Sequence, residues 1–223
     1  VLITGAYGGL GKALAELYHD KGFSLCLLGR DEEKIKTLSH LSNSIYSCDL
    51  SNNLEITQTC EEIKRNHDRI DVIINCAAVF PISSLTEMSI EEFQKCMQIN
   101  VTAPFLLTKQ LLHKMKKGSK IINIASSSAY GGSPNTSAYC ASKHALLGLS
   151  RSWFKELKSK DIRVFCVSPG SIQTKMGKEV EKLGQLYNTF MTPQEVAEYI
   201  FFATSFEGSM VSEEIRLNRM VVQ

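Results

Sequence analysis

Tyr139 and Lys143 stand four residues apart in Tyr139-Cys-Ala-Ser-Lys143, inside a stretch with helical periodicity. On a helix that interval puts the phenol and the ammonium on one face, where they can act together. Ser126 comes thirteen residues before Tyr139 and ends an apolar, β-rich run. A hydroxyl at the carboxyl end of a strand would face the same crevice. A phenol, an ammonium and a hydroxyl gathered there suit general acid–base chemistry at an oxygen atom. Ser127 and Ser128 read as polar loop.

A second device opens the chain. Thr4-Gly-Ala-Tyr-Gly-Gly-Leu-Gly11 follows the apolar run Val1-Leu2-Ile3 and precedes a segment of helical periodicity. This reads as strand, glycine turn and helix start. Glycines 5, 9 and 11 let the backbone come close to a ligand, and the free N–H groups of the helix would face its phosphates.

The elements that must position these residues alternate along the chain. Leu10, Ala13, Leu14, Leu17 and Tyr18 recur at helical spacing until Lys21-Gly22. Phe23 to Leu28 is the next apolar run. A polar helix is expected from Asp31, a strand ending at Cys48, a capped helix from Ser51 to His67, and a strand from Ile70 to Asn75. One long helical stretch should cover 87–116. Lys120 to Ala125, a helix over 137–158, a strand over 162–167 and a closing strand over 214–218 complete the series. Because the strands are apolar runs and not period-two patterns, they predict an α/β fold: a doubly wound parallel sheet between two helical layers, in a single domain. Ligands of such sheets sit at the carboxyl ends of the strands. Residues 171–191, polar and broken by glycine after Pro169-Gly170, read as a mobile loop over that site.

Composition narrows the function. The 223 residues carry a net charge of +2, and 43% are hydrophobic, which suits one well-filled core and no strong field. Lys114, Lys116 and Lys117 form the notable basic cluster, read as a solvated helix end and not a nucleic-acid surface. No apolar run has the ~18 residues of a membrane span. Seven scattered cysteines predict reduced thiols and a cytoplasmic setting. No histidine pair has a ligand spacing, so no metal is expected. Val1 already lies inside a strand, so residues are expected upstream.

Thr4-Gly-x-x-x-Gly-x-Gly11, Ser126, Tyr139-x-x-x-Lys143 and Pro169-Gly-x-x-x-Thr174 resemble the short-chain dehydrogenase/reductase family in order and spacing, over nearly the whole chain. The resemblance implies a Rossmann-type sheet that binds NAD(P)(H). It assigns Ser126, Tyr139, Lys143 and Asn100 to catalysis. Tyr139 would give a proton to a carbonyl oxygen held by Ser126, with its pKa drawn toward neutrality by Lys143 together with the positive nicotinamide ring of the oxidised cofactor. Lys143 would also grip the nicotinamide ribose, and Asn100 would hold a water that reloads the proton. Cofactor contacts are implied for Gly5, Tyr7, Gly9, Leu10, Gly11, Arg30, Asp49, Leu50, Asn75 and Ala77, for Tyr139 and Lys143, and for Pro169, Gly170, Ile172 and Thr174. One departure is Asn75-Cys-Ala-Ala78, where the family usually has Asn-Asn-Ala-Gly.

Gly29-Arg30-Asp31 bears on cofactor choice. A carboxylate after the second strand suits the ribose of NAD, whereas an Arg accommodates the 2′-phosphate of NADP. Gly29 and Arg30 favour NADP(H) over NAD(H). Asp31 either reaches the ribose or caps the next helix. The expected activity is NADPH-dependent reduction of a ketone or aldehyde, or its reverse, with small carbonyl compounds and 3-oxoacyl thioesters as candidate substrates. A cofactor-binding sensor without turnover and a nucleotide-sugar epimerase or dehydratase are the alternatives. The resemblance also implies a homodimer or homotetramer. Lys175, Lys178 and Lys182 read as a solvated face.

Overall fold

Leu2-Ile3, Ile73-Ile74, Ile121-Ile122 and Val164-Phe165 are neighbours in sequence that the structure sends to opposite sides of one sheet. The first of each pair joins a core cluster with Leu107, Leu111 and Leu157, the second a cluster with Leu14, Val196 and Ile200. Side chains alternate across a strand, so a sheet covered on both faces needs apolar residues at every position. Each such side chain, when fully buried, contributes about 1.5–3 kcal/mol.

The computed structural model describes residues 1–42 and 44–220. Seven parallel strands run β1 (Leu2–Thr4), β2 (Cys26–Gly29), β3 (Ser44–Ser47), β4 (Val72–Asn75), β5 (Lys120–Ile124), β6 (Arg163–Pro169) and β7 (Glu214–Leu217), in the spatial order β3-β2-β1-β4-β5-β6-β7. The helices are α1 (Gly9–Asp20), α2 (Glu32–Lys36), α3 (Asn53–Asn66), α4 (Ile90–Met97), α5 (Ala103–Leu111), α6 (Ser137–Leu157), α7 (Lys175–Glu181) and α8 (Pro193–Ser205). This is the doubly wound, three-layer Rossmann-type fold in a single domain. The strand order reverses between β1 and β4, which opens a crevice at their carboxyl ends. Thr4 spans it: its hydroxyl oxygen accepts the amides of Cys76 and Ala77, each at 3.0 Å.

Several boundaries differ from the sequence expectation for identifiable reasons. β2 starts at Cys26, in register with Leu2. Phe23 instead packs edge-on against Tyr18, 5.3 Å between ring centres. Asp31 caps α2, accepting the Lys34 amide at 3.1 Å, and Asn52 caps α3. The single helix expected over 87–116 is three pieces: α4, a wide π turn over Gln98–Thr102, and α5 followed by a 3₁₀ turn at Leu112–Lys114. Pro104 has no N–H to give to the Asn100 carbonyl, so an uninterrupted α-helix is barred there. Residues 171–191 are not a structureless loop: they carry α7, capped by Thr174, and a parallel bridge of Ile172 to Met191 ties the segment's two ends. α8 went unread from the sequence although Thr192-Pro-Gln-Glu195 builds a full capping box at its start. No described helix is long and apolar enough to cross a membrane.

Candidate active site

The crevice widens into a cavity of about 650 Å³ along the carboxyl ends of the strands. Its floor is the glycine turn. Gly5 has φ +66, and a Cβ there would lie 2.9 Å from the Ala77 Cα, so only glycine closes this turn against the end of β4. A Cβ on Gly9 would lie 2.5 Å from Thr174 Cγ2. Helix α1 then starts on Gly8 with no side-chain cap and no acidic residue in its first turn. By contrast, Asp31, Asn52, Ser89 and Thr192 cap α2, α3, α4 and α8 with their side chains. An uncapped helix N-terminus over a bare glycine floor offers N–H donors and a positive dipole end to an anionic group. The pyrophosphate of a dinucleotide fits those donors chemically.

Tyr7, Leu10, Gly11, Arg30, Asp49, Leu50, Ala77, Pro169, Gly170, Ile172 and Thr174 also line the cavity, together with Ser126, Tyr139 and Lys143. Asp49 is partly committed, its Oδ1 accepting both the amide and the hydroxyl of Ser51 at 2.9 and 2.8 Å.

Ser126, Tyr139 and Lys143 are brought to the cavity by β5 and α6. Just past β5, Ser126 caps the 3₁₀ turn at Ser127–Ala129, and its Oγ accepts the Ser128 amide at 3.1 Å. One acceptor site of that oxygen is therefore used while its O–H remains a donor. Tyr139 lines the same cavity as Ser126. Lys143, one turn further along α6, donates from Nζ to the Ile124 carbonyl at 2.8 Å and lies 5.6 Å from the centre of the Tyr139 ring. Phe80 packs edge-on against Tyr139 at 4.7 Å.

Burial sets the proton affinities. It pushes the Tyr139 phenol up to about 12, with the Ser126 hydrogen bond opposing. It brings the Lys143 ammonium down to about 8. The expected draw of Tyr139 toward neutrality is for Lys143 acting with the positive nicotinamide of the oxidised cofactor, and these shifts belong to the protein by itself. Removing both groups from water disfavours phenolate and ammonium alike.

Two expected site residues stand apart from the cavity. Asn75 is buried in the sheet, where its Nδ2 donates to Asn123 Oδ1 at 2.8 Å and to Thr108 Oγ1 at 3.4 Å. It is a strut between β4, β5 and α5, and its side chain is not positioned to touch a dinucleotide. Asn100 is fully buried. Its Oδ1 accepts the Val79 amide at 2.9 Å, while Nδ2 donates to the Val79 carbonyl and to Ser142 Oγ, both at 3.0 Å. That amide group fixes the chain after β4. Val79, Phe80 and the α7 residues Met176 and Val180 also line the cavity, from the segments 79–86 and 171–191 that the sequence places around the substrate pocket.

The sequence profile of the short chain dehydrogenase family matches residues 1–183. Among characterised sequences, the chain is 31% identical over 220 residues to the 3-oxoacyl-[acyl-carrier-protein] reductase FabG of Rickettsia felis, covering 95% of this chain and 91% of that protein. Among solved structures, 4-hydroxyisoleucine dehydrogenase complexed with NADH superposes with a TM-score of 0.85 at 26% identity, over 98% of this chain and 96% of that one. A short-chain dehydrogenase of Shigella flexneri 2a strain 301, complexed with NADP, gives 0.88 at 27% identity, over 97% and 95%. The fold agrees with these matches: the chain belongs to the short-chain dehydrogenase family of NAD(P)-dependent oxidoreductases.

Proposed function

We propose that the protein reduces a ketone or aldehyde carbonyl to an alcohol with NADPH, Ser126, Tyr139 and Lys143 forming its catalytic group. The observation that carries this reading is the convergence of the three side chains on one wall of the cavity whose floor is the α1 N-terminus. When bound, the reduced nicotinamide supplies a hydride. The protein's own work is on the oxygen. Ser126 donates its free O–H to the carbonyl oxygen and holds it in place. Tyr139, whose raised pKa keeps it protonated at neutral pH, gives its proton to the same oxygen. Lys143 supports the negative charge left on the phenol. General acid catalysis of this kind contributes roughly 10²- to 10⁴-fold.

Arg30 supports the choice of NADPH. It lies exposed at the cavity rim after β2, while Asp31 is turned into α2, with Oδ1 on the Lys34 amide and Oδ2 on the Lys34 ammonium. Between the two roles open to Asp31, capping is the one it performs. Comparing kcat/KM for NADPH and NADH tests the choice, and a clear preference for NADH would overturn it.

On the substrate side, Val79, Phe80, Met176, Val180 and Leu183 give the cavity an apolar wall. This favours a carbonyl carried on a hydrocarbon portion, and the similarity to 3-oxoacyl reductases supports testing 3-oxoacyl thioesters first, in a panel with simple ketones and aldehydes. NADPH consumption on that panel decides; binding without turnover on any member would favour a sensor. A homodimer or homotetramer, testable by light scattering, completes the reading. Its seven free thiols fit a reducing compartment such as the cytoplasm.

A further inference from the structure

β2 ends at Gly29, the place where dinucleotide-binding sheets commonly present a carboxylate to the ribose 2′-hydroxyl. Here that place is filled from the neighbouring turn after β1. A Cβ at position 29 would lie 2.5 Å from Tyr7 Cε1 and 2.6 Å from Tyr7 Cδ1, with Ile35 Cδ1 at 3.2 Å. The Tyr7 ring is not free to yield. Its hydroxyl oxygen accepts the Asp31 amide at 3.3 Å. The amide of Ala6, just before it, donates to the Leu28 carbonyl at 3.1 Å, and its ring packs against the core cluster that contains Ile35 and Leu10. Tyr7 thus lies flat on the end of β2 and braces the turn over 29–31 from both sides of Arg30.

Resting on the NADPH reading above, we infer that Tyr7 is a specificity-determining residue. It occupies the volume that a side chain at position 29 needs, so a ribose-binding carboxylate cannot be housed there, and it braces the turn that carries Arg30. Position 7 and position 29 are then one coupled element: the tyrosine ring and the missing side chain are two halves of the same choice. Tyr7 touches the selection of the dinucleotide and takes no part in proton transfer.

A cycle of four proteins tests this: wild type, Tyr7→Ala, Gly29→Asp and the double variant, each titrated with NADPH and with NADH by fluorescence of the reduced nicotinamide. Gly29→Asp alone should weaken both dinucleotides by about tenfold or more, because the new carboxylate displaces the ring and the turn. Adding Tyr7→Ala should restore NADH binding by about tenfold over Gly29→Asp and leave NADH bound more tightly than NADPH. A merely structural Tyr7 would not move that ratio. The inference is overturned if Gly29→Asp alone binds NADH with undiminished affinity, or if the double variant binds it no better than Gly29→Asp. If wild type itself prefers NADH, the NADPH reading falls, while the cycle still reads the coupling of the two positions. Should Gly29→Asp fail to fold, Gly29→Ala meets the same contact, and relief by Tyr7→Ala is read from melting temperature and NADPH affinity.

Discussion

Lys143 holds its ammonium 5.6 Å from the centre of the Tyr139 ring, and the same nitrogen donates to the Ile124 carbonyl at 2.8 Å. The lysine is thereby fixed between the end of β5 and the phenol, and burial brings its pKa down to about 8 while taking Tyr139 up to about 12. The proposed reduction needs Tyr139 protonated and Lys143 charged. The first condition holds across the neutral range; the second fails as pH rises. The reductive kcat should therefore be level from about pH 6 to 7.5 and decline above about pH 8, by up to about tenfold per unit. A pH profile still rising at pH 9 would contradict this assignment.

Lys143 also bears on stability. Its pKa is about 8 in the folded chain, against 10.5 for the free side chain. The unfolded state binds more protons between those values, so stability rises as pH increases through that window, and the penalty is fully present below about pH 8. Lys143→Met removes the buried ammonium at similar volume. It should stabilise the protein at pH 7 by about 1–3 kcal/mol, less the lost bond to Ile124, and abolish turnover. Thermal melts at pH 7 and pH 10.5 check it: the gain should shrink at the higher pH.

Asn100 acts through Val79. Asn100→Asp keeps the shape of the side chain but cannot donate, leaving the Val79 carbonyl and Ser142 Oγ without their 3.0 Å partner. Loss of about 1–3 kcal/mol of stability is expected, with a fall in kcat/KM as the cavity wall at Val79 and Phe80 loosens. Denaturant unfolding together with steady-state kinetics would measure both.

Ile74, wholly buried in β4 next to the crevice, should cost about 2–5 kcal/mol on Ile74→Ala by loss of burial and the cavity left behind. A much smaller loss, measured by equilibrium unfolding, would mean that the sheet is not packed on both faces at this strand.

Much of this architecture is readable in the residues because both faces of the sheet are covered. Val72-Ile-Ile74 and Ile121-Ile122 announce buried parallel strands without help from the structure. The glycine turn and Tyr139-x-x-x-Lys143 are local patterns, and local patterns survive in a sequence. What escaped depends on distant partners. Phe23 looks like strand, yet its ring belongs to Tyr18 and Phe201. α8 has aromatic residues on its outer side, with Tyr199 and Phe202 exposed, which blurs its apolar stripe. The break at Asn100 was signalled by Pro104, but the lock of the Asn100 side chain onto Val79 is a contact across 21 positions. The opposed shifts of Tyr139 and Lys143 follow from depth of burial, which spacing does not encode.

The proton donor is the centre of the account, and Tyr139→Phe removes that proton while keeping the ring that Phe80 packs against. Turnover of NADPH with any accepted carbonyl should fall by roughly 10²-fold or more, with NADPH still bound at near wild-type affinity. Near-normal turnover in Tyr139→Phe would contradict the account.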